Sequence, residues 1–506
     1  MKLRRLLLAL ASLASPLFAA APSPRPNVVV FLTDDESWQE RSIYGWSNLP
    51  TPHFDRVARE GVLFTRGYTS APSCAPSRAA LLTGRNFWEL EQGAFIQAWL
   101  PEKFARVPDL MAAGGYHAGF SGKGWGPGVS PPNGGKRNPA GEAYNAIKRP
   151  EREREPGINA IDYPANFEKF LAGRKPGQPF WFWVGSTEPH TPCSPKNHEK
   201  LQARHKIGLD AIKVAGFLPD LPGVRRQHAD MMYEICRADD DLGRVLAILE
   251  KRGELANTLL IVTADNGTQV LRSKANVHDW GIHVPLAMMW PARVNPGRRI
   301  DDFVNFADLA PTMLEAAGLP VPKTMSGRSV VGLLTSNASG RIEPARSWTA
   351  AGLEWHGEDA EISWAARTIR DERYQYIVNY SDTPRRTTNP RQELPDSEYA
   401  RTIATATEIE LVARHPRHPL VQPYTAMFVS PRPREELYDG ESDPWELKNL
   451  ANSPGHAAIK ARLRTQLEAY QRQTGDPRLT GKMEIFRQTR EYVLNRKYGP
   501  GGYAEK

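Results

Sequence analysis

Two pairs of oxygen-bearing side chains each follow an apolar segment of this chain. The dipeptide Asp34-Asp35 comes directly after the run 28–33, and Asp265-Asn266 comes directly after the run 259–264. Ligand sites in open α/β sheets form beyond the carboxyl ends of the strands, so we expect the two pairs to meet in one crevice. Acidic side chains brought together in this way repel each other unless a cation lies between them. The alternative is that each pair belongs to an ordinary loop or helix cap.

The donor types favour calcium at this site. Four oxygen-bearing side chains, with no histidine or thiolate among them, suit a hard cation. Ca²⁺ accepts more ligands and a looser geometry than Mg²⁺ does. The sequence therefore predicts one bound Ca²⁺ ion, with Mg²⁺ as the less suitable ion.

The elements that position these residues alternate between strands and helices. The runs 28–32, 180–184 and 259–262 are continuously apolar, which is typical of parallel strands buried on both faces. Apolar residues recur at helical spacing from Met232 to Leu249. This alternation predicts an α/β fold with a large central mixed or parallel sheet flanked by helices.

The pattern changes near residue 350. Residues 367–380 alternate between apolar and polar side chains like an antiparallel strand, and residues 457–472 have the spacing of one amphipathic helix. We therefore predict a catalytic α/β domain over residues 22–350 and a smaller C-terminal α+β subdomain over residues 351–506.

The first 21 residues are typical of a secretory signal peptide. They contain a basic start with Lys2, Arg4 and Arg5, an apolar run, and the small residues 19–21 as a cleavage site. The apolar run is too short for a membrane anchor, and Pro16 interrupts it. We expect an exported protein, secreted or periplasmic, that has no membrane anchor.

Composition narrows the class of protein further. A chain of 506 residues with 40% hydrophobic residues can bury a large core. Loss of the three basic signal-peptide residues would lower the net charge from +8 to +5, a mild bias towards anionic partners rather than a nucleic-acid-binding surface. Three cysteines are too few for a disulfide scaffold, and we expect Cys193 and Cys236 to be packing residues.

The third cysteine begins a recognisable motif. Cys74-Ala75-Pro76-Ser77-Arg78 precedes an apolar helical turn that ends in Thr83-Gly84-Arg85. This segment resembles the signature of the formylglycine-dependent sulfatases of the alkaline phosphatase superfamily. Further motifs stand in the order that this family shows, and they extend the resemblance over nearly the whole mature chain: Thr33-Asp34-Asp35, residues 51–55, Gly122-Lys123, residues 189–192, residues 264–267 and residues 437–451.

The resemblance implies a covalent mechanism and a fold like that of alkaline phosphatase. A maturation enzyme would oxidise Cys74 to formylglycine (3-oxoalanine), an aldehyde that hydrates to a diol. One hydroxyl attacks sulfur, and the second later loses its proton and expels sulfate, which restores the aldehyde. A thiol would instead form a stable thiosulfate. The N-terminal end of the helix that Cys74 begins would also favour the anion.

The resemblance also assigns roles to individual residues. Arg78 would hold the nucleophile, Lys123 and Lys274 would bind sulfate, and His190 would protonate the leaving group, since histidine titrates near neutral pH. The metal ligands would be Asp34, Asp35, Asp265, Asn266 and the modified Cys74.

One position departs from the family pattern. Most members carry a histidine two residues after the lysine matched by Lys123, where it contacts the nucleophile, but this chain has Trp125. Either His278 or His283 substitutes, or the metal and Arg78 suffice. Because Gly124 and Gly126 flank the tryptophan, we expect its ring to contact the sugar.

The substrate is predicted only by class. Residues 121–127, 239–241 and 474–477 resemble the heparan N-sulfatase (sulfamidase) branch, which implies an O-sulfated or N-sulfated sugar and polysaccharide degradation. Two alternatives remain open: a phosphonate or phosphodiester hydrolase of the same superfamily, and a catalytically inactive carbohydrate-binding relative.

Overall fold

A computed structural model describes residues 25–131, 134–356, 365–380 and 406–495. The expected signal peptide, residues 1–21, lies outside the described residues. No helix within the described part of the chain is both long enough and apolar enough to span a membrane.

The apolar runs form the centre of a seven-stranded sheet with the order β4-β5-β1-β6-β7-β2-β8. The first four strands in this order are parallel, and β7 then pairs antiparallel with both β6 and β2. This arrangement confirms the predicted mixed sheet. The strands are β1 (Asn27–Thr33), β2 (Val62–Phe64), β4 (His117–Gly122), β5 (Phe180–Gly185), β6 (Thr258–Ala264), β7 (Leu286–Met289) and β8 (Arg298–Ile300). A separate two-stranded ladder joins β3 (Gly67–Tyr68) to β9 (Val304–Asn305).

Helices cover both faces of the sheet, as the sequence predicts. Alternate residues of β1 point to opposite faces: Val29 and Phe31 pack with one set of helices, and Val28 and Val30 pack with the other. The first face carries α1 (Pro52–Glu60), α4 (Tyr163–Ala172) and the long α6 (Pro222–Lys251). The second carries α2 (Cys74–Thr83), α3 (Val107–Ala113) and α8 (Leu309–Ala316). The remaining helices of this part are α5 (Asn197–His205), α7 (Asp279–Ile282) and α9 (Val331–Thr335).

The predicted C-terminal subdomain contains an antiparallel sheet of four strands in the order β10-β11-β12-β13. These strands are β10 (Trp348–Leu353), β11 (Ala366–Asp371), β12 (Tyr374–Asn379) and β13 (Glu435–Asp439). The single strand predicted over residues 367–380 is wrong, because the chain bends at residues 372–373 and forms the antiparallel pair β11 and β12. The expected amphipathic helix is α12 (Ala457–Gln473), which buries Leu463 and Leu467 and contacts β11. The neighbouring helices are α10 (Glu408–Arg414), α11 (Gln422–Val429), α13 (Pro477–Thr480) and α14 (Glu484–Asn495).

Two glycines allow the ends of the neighbouring strands β4 and β5 to pack closely together. Gly122, at the end of β4, has a φ of +79°, a backbone conformation that residues with a Cβ rarely adopt. Opposite it, a Cβ added to Gly185 would lie 1.8 Å from the carbonyl oxygen of Lys123. The backbone that carries Lys123 therefore packs directly on the end of β5.

We predict that Gly185→Ala destabilises the fold by about 3 kcal/mol, because the backbone carbonyl it meets cannot move without displacing Lys123. Urea denaturation would measure the free energy of unfolding. Gly208→Ala is the matched control, since no atom lies within 4 Å of the added Cβ and the backbone φ there is −85°. Equal stability of the two variants would contradict the prediction.

Candidate active site

The ends of β1 and β6 bring the two pairs of oxygen-bearing residues into direct contact. The backbone N–H of Asp35 donates to Oδ1 of Asp265 at 3.0 Å, and Nδ2 of Asn266 donates to Oδ1 of Asp35 at 2.7 Å. Asp34 lies beside them, and all four side chains are buried. Residues separated by about 230 positions in the sequence therefore share one crevice, because β1 and β6 are adjacent parallel strands.

Cys74 is the first residue of α2, and its side chain points into this cluster. Its Sγ lies 3.5 Å from Oδ1 of Asp34 and 3.9 Å from Oδ1 of Asp35. One donor atom from each of Asp34, Asp35, Cys74 and Asp265 lies within 4.8 Å of the other three. Burial raises the pKa of the Cys74 thiol, so the unmodified side chain is neutral and a poor nucleophile.

This cluster fits a metal ion. The Oδ1 atom of Asn266 is buried and accepts no hydrogen bond, as expected for an oxygen placed to bind a cation. Carboxylate and amide oxygens are hard ligands, and the cysteine sulfur is the one donor that does not match them. Conversion of Cys74 to an oxygen-bearing residue would complete an all-oxygen set.

Arg78 joins the cluster to the backbone that carries Lys123. Its Nε donates to Oδ2 of Asp265 at 2.8 Å, and its Nη2 lies 3.6 Å from Oδ1 of Asp34. Its Nη1 donates to the carbonyl oxygens of Lys123 and Gly124, at 2.8 and 2.9 Å. The planar guanidinium thus fixes the cluster, the start of α2 and the end of β4 relative to one another.

Two lysines compensate the remaining carboxylate charge. Nζ of Lys123 donates to Oδ2 of Asp34 at 2.5 Å, and Nζ of Lys274 donates to Oδ2 of Asp35. Burial alone would raise the pKa of each aspartate, but the ammonium groups lower the pKa of both. The lysine pKa values are raised in turn, chiefly by the same carboxylates acting against burial. The four groups therefore stay charged at neutral pH.

His190 is the most open member of the site. Its Nδ1 lies 2.6 Å from the carbonyl oxygen of Thr191, which places a proton on Nδ1, and its Nε2 lies 3.7 Å from Oδ2 of Asp35. The side chain is 37% exposed. It lines a cavity of about 470 Å³ whose wall consists of Asp34, Lys123, Gly126, Pro127, Gly157, Ile158, Asn159, Thr187, His190 and Pro192.

The comparisons with known proteins agree with this geometry. The family model described as Sulfatase matches residues 26–319, which is more than half of the chain. The chain belongs to the sulfatase family. A second model, described as N-sulphoglucosamine sulphohydrolase, C-terminal, matches residues 268–414. Both matches confirm the resemblance stated from the motifs.

Individual relatives of this sulfatase are distant but matched along most of their length. An ulvan-active sulfatase of Formosa agariphila is 27% identical, covering 90% of this chain and 82% of the relative. Human N-sulphoglucosamine sulphohydrolase is 27% identical, covering 90% and 91%. The structure of BT4656 in complex with its substrate D-glucosamine-2-N,6-O-disulfate has a TM-score of 0.63 at 18% identity, covering 89% and 98%, and it shows the same fold.

Trp125 occupies a different place in this sulfatase from the sugar-contacting position expected above. The side chain is only 1% exposed, belongs to the core between the sheet and α2, and is not among the residues of the cavity wall. Its indole Nε1 donates to the carbonyl oxygen of Ala75 at 3.0 Å. The ring therefore packs, on the core side, against the first turn of α2, which carries Cys74. Gly128, three residues further on, accommodates a close approach of the ring, because a Cβ added there would lie 2.3 Å from a ring atom.

The two histidines proposed as substitutes are held elsewhere in the sulfatase. Nε2 of His278 lies 3.4 Å from Glu436. The ring of His283 stacks on Trp38 and Tyr68. Another imidazole, that of His356, contacts the start of α2: its Nδ1 lies 2.9 Å from the hydroxyl of Ser73. Sequence reasoning missed it, because no motif marks His356 and 283 positions separate it from Ser73.

We predict that Trp125→Phe lowers the free energy of unfolding by about 1–3 kcal/mol, because it removes the buried hydrogen bond from the indole to the carbonyl of Ala75 and leaves a small cavity where the larger ring was. The residue does not line the cavity that His190 faces, so KM for a sulfated sugar should stay within about twofold. Denaturation and steady-state kinetics would check both statements. A large rise in KM at unchanged stability would contradict this prediction and would indicate that Trp125 contacts the substrate.

Proposed function

We propose that this sulfatase hydrolyses sulfate esters or N-sulfo groups of sulfated sugars with a formylglycine derived from Cys74. The observation that carries the proposal is the placement of Cys74 at the start of α2, against three buried carboxylates and beside two lysine ammonium groups. The names of the relatives support a sugar substrate, and the match to a sulphohydrolase C-terminal model supports the N-sulfo alternative.

The site suits an anionic tetrahedral substrate group once a cation balances its carboxylates. Asp34, Asp35, Asp265, Asn266 and the modified Cys74 would hold one Ca²⁺, which supplies charge neutralisation at the sulfate oxygens. Lys123 and Lys274 would then be able to turn from the carboxylates towards sulfate oxygens. Arg78 would keep the modified residue oriented through its fixed bonds to Asp265 and the backbone.

Covalent modification supplies the nucleophile that the thiol lacks. Hydrated formylglycine offers one hydroxyl for attack on sulfur and a second hydroxyl whose deprotonation releases sulfate. Because Cys74 is buried in the folded chain, a formylglycine-generating maturation enzyme has to act before α2 packs. We propose such an enzyme as an obligatory transient partner, and we propose that residues 1–21 direct export to the periplasm or the exterior.

His190 is the residue we assign to the leaving group. It lines the cavity, and its Nε2 lies 3.7 Å from Oδ2 of Asp35 while Nδ1 is held by the Thr191 carbonyl. Protonated His190 would donate from Nε2 to the departing sugar oxygen or nitrogen. The backbone bond fixes the ring so that this atom stays directed towards the site.

The two alternatives predict different chemistry at the same residues. A phosphonate or phosphodiester hydrolase would turn over phosphodiesters faster than sulfate esters or sulfamates. An inactive carbohydrate-binding relative would bind sulfated sugars without turnover. Side-by-side turnover of an aryl sulfate, a sulfamate sugar and a phosphodiester distinguishes these alternatives from the proposal.

We predict that the Cys74 peptide of active protein is about 18 Da lighter than the unmodified peptide, the difference between cysteine and formylglycine. Cys74→Ser, expressed with a maturation system specific for cysteine, should lose at least about 10²-fold in kcat, because serine lacks the second oxygen that expels sulfate. Mass spectrometry and kinetics measure the two effects. An unmodified thiol in fully active protein would exclude this nucleophile.

We predict that Asp265→Asn loses bound calcium together with at least about 10²-fold of kcat, since it removes one charged ligand and the partner of Arg78. Metal content by mass spectrometry and turnover before and after chelation would test this. Asp220→Asn is the control, because it removes an exposed carboxylate that pairs only with Arg225 among the ion pairs of the described residues. Full activity after exhaustive chelation would remove the metal from the mechanism.

A further inference from the structure

His356 reaches from the C-terminal subdomain to Ser73, the residue directly before Cys74. It stands three residues after the end of β10, and its Nδ1 contacts the hydroxyl of Ser73 at 2.9 Å. Ser73 is the N-cap residue of α2, yet its side chain makes no capping bond to the helix. A serine at this position normally accepts from an N–H group of the first turn. Here the hydroxyl is engaged by His356 instead, directly next to Cys74.

The ring of His356 lies within the electrostatic field of the catalytic cluster. Burial is the main cause that lowers its pKa to about 3. Lys274 lowers the pKa further, Asp35 opposes this, and His190 and Lys123 make smaller lowering contributions. The imidazole is therefore neutral at neutral pH. It can exchange hydrogen bonds with Ser73 without adding charge to a site whose carboxylates and ammonium groups already compensate one another.

A buried network of charged residues holds this part of the chain in place. Glu354, two residues before His356, accepts from Nε of Arg478 at 2.9 Å and lies 3.2 Å from Nη2 of Arg367. Arg367, on β11, donates two further bonds to Asp476 at 2.7 and 3.0 Å. Asp476 belongs to the segment 474–477, whose sequence resembles the sulfamidase branch, and it is buried. This segment therefore anchors the strand end that carries His356.

We propose that His356 is a positioning residue for the nucleophile, acting through Ser73, and that it provides the imidazole this chain lacks at Trp125. The inference rests on the proposed function and extends it to the C-terminal subdomain. By holding the Ser73 hydroxyl away from the first turn of α2, His356 fixes the backbone that orients residue 74. It also leaves the first N–H groups of the helix free of a side-chain cap, so that they can face an anion.

The kinetic test uses His356→Ala, His356→Asn, Ser73→Ala and the Ser73/His356 double alanine variant. We expect His356→Ala to lower kcat, corrected for formylglycine content, by at least about tenfold while KM changes less than about twofold, because small displacements of a reacting group reduce the rate. Asparagine can still bond to Ser73 and should restore most of kcat. The double variant should be no slower than the slower single variant, because both changes break one contact.

The matched control is His456→Ala. His456 makes the same type of contact, Nδ1 to the hydroxyl of Ser453 at 3.0 Å, in a turn of the same subdomain that precedes α12. This variant should keep the parental kcat. If the loss of a serine–histidine pair anywhere in the subdomain slowed the enzyme equally, the effect would be structural and the proposal would be overturned.

A second readout does not depend on activity. Amide hydrogen exchange of the peptide spanning residues 70–82 should accelerate in His356→Ala and Ser73→Ala and stay unchanged in His456→Ala.

If parent protein turns over no sulfated substrate, the proposed function fails and the exchange result alone decides the role of His356. If the parent is active but His356→Ala keeps kcat within about twofold, or exchange is unaltered, the positioning role is refuted. Should His356→Ala not fold, Ser73→Ala gives the same decision, because it breaks the same contact from the other side.

Discussion

The compensation of buried charge is the constraint on which this structure depends. Three carboxylates stand together at the ends of β1 and β6, where solvent cannot stabilise them. Arg78, Lys123 and Lys274 each bond to one of them, and each comes from a different part of the chain. Removal of any one cation would leave the buried carboxylate charge incompletely compensated, which is far more costly than losing a surface ion pair.

The same compensation prepares the site for its substrate. In a site whose carboxylates and ammonium groups balance one another, an incoming cation can replace the ammonium groups at the carboxylates. The ammonium groups can then pair with an incoming anion. A divalent cation would satisfy the carboxylates and free the lysines to bind the anionic sulfate. The orphaned Oδ1 of Asn266 and the mismatched sulfur of Cys74 are points where the protein atoms alone leave this arrangement incomplete.

The C-terminal subdomain does more than cover the catalytic domain. Its buried Glu354–Arg367–Asp476 network fixes the end of β10, and His356 extends from there to Ser73, the residue before Cys74. The large domain supplies charge and the cavity, whereas the smaller one restrains the start of α2. Trp125 restrains the same segment from the core side through Ala75. The two neighbours of Cys74 thus contact an indole and an imidazole that belong to different parts of the fold.

The sequence by itself determined the central mixed sheet, the C-terminal sheet and helix, and the family, because continuous apolar runs, helical spacing and the Cys74–Arg85 motif are local patterns. It also named Asp34, Asp35, Asp265 and Asn266 as one group, since strand ends meet at a known edge of the sheet. Only the tertiary structure decided that Trp125 faces the core and that His356, rather than His278 or His283, reaches the nucleophile segment. The direction of the Trp125 side chain and the contact between Ser73 and His356, which are 283 positions apart, both depend on how the two sheets pack. No local pattern encodes that packing.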